Sequence, residues 1–175
     1  MSAASRCVIG LAGLLLLVFA PCSFARQSNG DTATRANQAF DSELNTLIGR
    51  AALSLGNTQF IETETMPGLM KLWDQRQTLG AGNLDLSNAF LFVMEENPQA
   101  FFVSMAAHPR EFDDWLKELP YLSFTWYDAP PCQLETKQKQ LILILQHTQI
   151  AAPDASRLKD EMLARLSTIK CRQIR

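Results

Sequence analysis

Charge is scarce in this chain. Only 19% of its 175 residues are Asp, Glu, Lys or Arg, and 16 basic against 18 acidic side chains leave a net charge of −2. No basic field is present to hold a nucleic-acid backbone or an anionic membrane surface, so neither is an expected partner. Histidine is scarcer, with two in the chain, and His108 and His147 lie too far apart for H-E-x-x-H spacing. That spacing is what puts two imidazoles on one helical face around a metal. G-x-S-x-G is absent, and Gly80-Ala81-Gly82 matches no phosphate-cradling loop. No motif carries chemistry, and no cofactor or metal is implied.

Long hydrophobic runs are as few. The one candidate, Val8 to Ala20, has thirteen apolar or glycine residues and stops at Pro21. A spanning helix needs about 20. Arg6 and the free amine precede the run, and Ser23-Phe24-Ala25 offers small residues at the −3 and −1 positions of a cleavage site. Residues 1–25 therefore read as a secretory signal peptide, and no transmembrane span is expected after its removal. Lipid attachment through Cys22 is not expected, because bacterial lipoprotein signals place a small residue where Pro21 stands.

Cysteine is rare too. Of four, Cys7 and Cys22 leave with the signal, and Cys132 and Cys171 remain. An export signal and an even cysteine count point to an oxidising periplasmic or extracellular compartment and a Cys132–Cys171 disulfide. Closing a loop of that length would stabilise the fold by about 4 kcal/mol on the chain-entropy model.

What is present is helical periodicity. Residues 26–34 are polar and small, a flexible leader, and 35–175 fit a single domain by size. Phe40, Leu44, Leu47, Ile48, Ala51 and Leu55 form one stripe of a 3.6-residue period, with Asp31, Thr32 or Thr34 as cap and Gly56 as stop. Residues 57–79 continue as a helix broken at Met66-Pro67-Gly68. Asp85 or Ser87 can cap a helix presenting Leu86, Phe90, Leu91, Val93 and Met94. Asn97-Pro98 and His108-Pro109 then each read as N-cap followed by first helical residue. The helices they start, with Phe101, Phe102 and Met105 on one and Phe112, Trp115 and Leu119 on the other, are about ten residues each, too short to stand without packing.

Tyr121 to Tyr127 has strand-like composition but no evident partner, which predicts an extended connector. Gln133 to Ile150 reads as a helix whose run Leu141 to Leu145, apolar all round, should lie in the interior, a buried strand being the rival. Asp154 caps a last helix with Leu158, Met162, Leu166 and Ile169 inward and Glu161 placed to pair with Arg165. These two helices should run antiparallel and bring Cys171 beside Cys132. The expected fold is thus all-α, an irregular bundle or short stack of six to seven helices, with residues 132–171 as a disulfide-closed hairpin.

Prolines 98, 109, 120 and 131 stand eleven residues apart in the most aromatic part of the chain. The residues that follow them match too thinly to make a repeat. Trp115, Tyr121, Trp126 and Tyr127 supply the candidate binding residues, since aromatics with a polar tip favour peptide and small-ligand grooves. Together these features point to an exported, non-catalytic helical binding or interaction protein with a protein, peptide or small-molecule partner. The rival is a small metal-dependent hydrolase using acids near His108, such as Glu95, Glu96, Glu111, Asp113 and Asp114.

Overall fold

A computed structural model describes residues 31–54, 57–79, 83–126 and 131–173, so the expected signal and most of the leader lie outside the described residues. The chain is helical, in the order α1 (Asp31–Leu53), α2 (Thr58–Phe60), a π turn (Ile61–Thr65), α3 (Met66–Leu79), α4 (Asn83–Glu96), α5 (Pro98–Ala106), α6 (Pro109–Leu122), β1 (Thr125–Trp126), α7 (Pro131–His147), α8 (Pro153–Thr168) and β2 (Arg172–Gln173). Since α2, the π turn and α3 join end to end, the described residues form seven helical bodies, as the periodicity predicts. Helix α1 starts at Asp31, so the last four residues of the expected leader are its first turn. Among the described residues no helix is long and apolar enough to cross a membrane.

The expected break at Pro67 is absorbed without breaking the rod. Proline has no N–H to return to the carbonyl four residues back and its ring crowds that turn. The chain widens here into a π turn, in which the Met66 N–H donates to the Ile61 carbonyl, and the helix runs on. Gly68 then lets α3 approach α1 closely, since a β-carbon there would sit 2.7 Å from Leu47 Cδ2.

Helix α5 is the centre. Its Ala100, Phe101, Phe102 and Met105 are fully buried, and it packs on α8, α4, the π turn and α6. Asn97 caps it as the sequence predicts, accepting the Ala100 N–H at 3.0 Å ahead of Pro98. Around it run edge-to-face rings from Trp73 through Phe90, Phe101 and Trp115 to Phe112 and Phe102, with centroids 5.1 to 6.3 Å apart. Such pairs add about 0.5–1.5 kcal/mol each beyond area burial.

The last helices depart from expectation in three ways. Helix α6 passes through Pro120 to Leu122, so Tyr121 belongs to a helix end and the expected extended connector shrinks to β1. A strand partner does exist: β1 pairs in parallel with β2, Thr125 against Arg172 and Trp126 against Gln173. Helix α7 is confirmed as a helix over Leu141–Leu145, but it lies at the surface. Leu141 and Leu145 are buried while Leu143 is 54% exposed, because Lys139, Gln140 and Gln146 share its outer side and hold that side in water.

Helices α7 and α8 do run antiparallel. The Gln138 amide of α7 donates to the Leu166 and Ile169 carbonyls at the end of α8, and Lys159 donates to Thr148 O at the turn. Glu161 pairs with Arg157 rather than Arg165. The expected disulfide is not formed here: Cys171 is a free thiol, its Sγ donating to Gln138 Oε1 at 3.5 Å. Burial, then Glu135, push its pKa up and keep the proton on sulfur. The Cys132 side chain lies outside the described residues.

Helix α4 begins at Asn83, so neither Asp85 nor Ser87 is its cap. Ser87 is instead fully buried. It accepts the Trp115 indole N–H at 2.8 Å and lies 2.7 Å from Ser123 Oγ, tying α4 to the middle and the C-terminal end of α6. Ser87→Ala should lower stability by about 1–3 kcal/mol, the cost of orphaning a buried donor. Trp115→Phe should cost less in that background than in the wild type. A urea double-mutant cycle showing strict additivity would remove this polar link from the account.

Candidate functional site

The candidate aromatics part company in the structure. Trp115 is a core residue with no exposure. Trp126 lends its backbone to β1, its side chain lying outside the described ones, and Tyr127 lies outside the described residues. Tyr121 is different. It is 65% exposed and stands on the rim of a groove of about 400 Å³, also lined by Pro120, Thr125, Arg165, Thr168, Ile169, Lys170 and Arg172. Ligand pockets commonly span about 300–1,000 Å³.

The groove is a consequence of Pro120. A proline at 120 cannot donate to the Leu116 carbonyl, which a helix would otherwise pair with residue 120. Arg165 of α8 fills the gap: its Nε donates to Leu116 O at 3.2 Å and its Nη2 to Lys117 O at 3.3 Å. The end of α8 is thereby drawn against the end of α6. Thr125 Oγ1 donates to Pro120 O at 2.9 Å, closing the turn out of α6. The bridge then seats Arg172, whose N–H donates to Phe124 O at 3.1 Å. Ile169, 8% exposed, lies at the base.

The lining is one-sided in charge, with three cations and no acid. Among the described residues none of Arg165, Lys170 and Arg172 has a carboxylate within ion-pair distance. The whole-chain charge balance hid this concentration, although the sequence after Glu161 carries basic residues and no acid. The signal that could have found it is the proline inside an otherwise amphipathic helix, which leaves a carbonyl needing a donor from elsewhere.

His108 lies in a smaller cavity of about 110 Å³ with Glu62, Met66, Pro67, Met70, Ser104 and Ala107. It is the exposed residue before α6 and makes no side-chain cap bond. Ser104 Oγ is buried there without a hydrogen-bond partner, so it is not presented to a substrate. Among the described residues no group of three or more His, Cys, Asp and Glu could hold a metal ion. His108 and the acids expected around it are thus not such a group. His147 is exposed on the outer face of α7, one turn on from Leu143.

Two other ionisable groups are perturbed by packing. Burial lowers the Lys137 pKa, opposed by nearby Glu95. Burial, then Asp41, raise that of Asp85. Neither lines the groove.

The fold and groove define an all-α protein with a basic surface recess beside a single parallel bridge. No family model matches the chain, and no curated protein or solved structure does.

If Arg165 answers for Pro120, their substitutions must couple. Arg165→Met should cost about 1–3 kcal/mol by orphaning the Leu116 carbonyl. In a Pro120→Ala background, where the alanine N–H can take that carbonyl, most of the cost should disappear. Equal costs in the two backgrounds, measured by urea unfolding, would overturn this origin of the groove.

Proposed function

We propose that this is an exported, non-catalytic helical binding protein of the cell envelope or extracellular space, and that it binds its ligand in the groove at Tyr121. The observation that carries the reading is the ring of Tyr121 itself. It is the one exposed aromatic among the described side chains, and it stands on the rim of the larger of the two cavities described. Exposed aromatics on a rigid rim supply contact area with little conformational cost, and tyrosine is enriched among residues that dominate binding. The absence of a built catalytic constellation at His108 favours binding over hydrolysis.

Export rests on the sequence: the apolar run, its length and the cleavage pattern after Ala25. The Cys132–Cys171 bridge belongs to the same reading. It rests on the export signal and the even number of cysteines left after cleavage. In an oxidising compartment the two thiols would pair and staple the α7–α8 hairpin beside the groove. Protein recovered from outside the cytoplasm should have an intact mass starting at Arg26 and lighter by two hydrogens than the dithiol. A retained residue 1–25 segment would overturn export, and two alkylatable thiols would overturn the bridge.

The binding site itself is tested by an NMR survey of short peptides and small molecules, charged and neutral, on the mature chain. A true ligand should shift the amides of Tyr121, Thr125 and Ile169, and Tyr121→Ala should weaken it by about tenfold or more. Ligands that bind elsewhere and ignore Tyr121→Ala would overturn the assignment.

A further inference from the structure

Resting on the reading of the Tyr121 groove as the binding site, we infer that the group it receives is an oxyanion, a carboxylate or a phosphate, held by Arg165, Lys170 and Arg172. The chain is net negative, yet this recess is lined by three cations and no acid. Elsewhere among the described residues Lys71, Arg76, Lys117, Arg157 and Lys159 each find a carboxylate partner, while Arg50, Arg110 and Lys139 stand singly and do not share either described cavity. The groove cations find none among the described residues.

They are also more than the helix end requires. Basic residues after a helix often serve its last carbonyls. Here Gln138 already donates to Leu166 O and Ile169 O, and Arg165 O receives the Thr168 hydroxyl and the Ile169 N–H. Lys170 and Arg172 are exposed, on either side of the half-buried Cys171. In an extended segment, side chains two apart fall on one side, so both line the groove. The β1–β2 bridge holds that segment in place.

Arg165 is the fixed member. Two of its N–H groups are committed to Leu116 and Lys117, and a guanidinium has five, so three remain. A planar donor already clamped by backbone loses little freedom on binding, and its fork suits a two-oxygen group. The recess is larger than a bare ion needs, so the oxyanion is carried by a larger ligand that also meets Tyr121.

The test is a titration of the mature chain, at low ionic strength, with triglutamate, pyrophosphate and neutral triglutamine amide. Amides of Tyr121, Thr125, Ile169 and Arg172 should shift with one or both anions and not with the neutral peptide. Preference for triglutamate identifies a carboxylate ligand, and preference for pyrophosphate a phosphate ligand. Lys170→Glu with Arg172→Glu, both at exposed positions, should weaken the anion by about tenfold or more while leaving the thermal midpoint and circular dichroism unchanged. Added salt at about 0.5 M should weaken it as well. If the neutral peptide shifts the same amides as strongly and charge reversal changes nothing, the oxyanion is wrong and the groove remains a binding site. If no ligand in this titration or the wider survey shifts those amides, the binding-site reading falls and this inference with it.

Discussion

Helix α5 has no existence apart from its surroundings. Nine residues in water would not hold a helix, and this one has four side chains with no exposure at all. Its stability comes from being enclosed by α4, α6, α8 and the π turn, and those elements owe it most of their buried aromatic area. Phe101 touches Phe90, Phe102 and Trp115, so loss of one contact would loosen rings on three helices. The surface helices α1 and α7 are built on this centre and tolerate exposed leucines at Leu53 and Leu143; single exposed apolar side chains are ordinary on a protein surface.

The same chemical problem is met twice, with different answers. A proline within a helix leaves a carbonyl without its donor. At Pro67 the chain answers locally, by widening a turn so that Met66 donates five residues back. At Pro120 the answer is tertiary, an arginine from another helix. The local answer costs the molecule only a change of pitch. The tertiary one brings two helix ends and a short bridge together, and the groove of about 400 Å³ lies where they meet. A defect in one helix thus positions the groove on which the functional reading depends.

Charge distribution follows from this placement. Among the described residues Lys71, Arg76, Lys117, Arg157 and Lys159 have carboxylate partners, and the buried Arg76 is stacked 3.6 Å from the Trp73 ring centre while bonded to Trp73 O and Glu118. The groove gathers three cations, Arg165, Lys170 and Arg172, with no acid in its lining. Tyr121, the one exposed aromatic ring among the described side chains, sits on its edge, which sets apolar surface beside the positive charge.

Local chemistry was enough for the helices. Asn97-Pro98, the stripe from Phe40 to Ala51 and the stripe from Leu158 to Ile169 each state their element in the sequence, because capping and periodicity act over a few residues. What those signals do not contain is direction in space. Leu143 reads as core and is exposed, since an apolar run says nothing about how many sides a neighbour can cover. Ser87 reads as a cap and is a buried acceptor, because its partner Trp115 lies 28 residues on. Tyr121 was legible as a candidate from its residue type, whereas Trp115, of the same type, is buried. Arg165, Lys170 and Arg172 were not legible, as their meeting with Tyr121 depends on which carbonyl Pro120 leaves empty and on a two-residue bridge. The sequence by itself determined the helical class and the turns between most of the helices. Only the tertiary structure decided which faces meet water and where the cations gather, because both depend on packing between residues far apart in the chain.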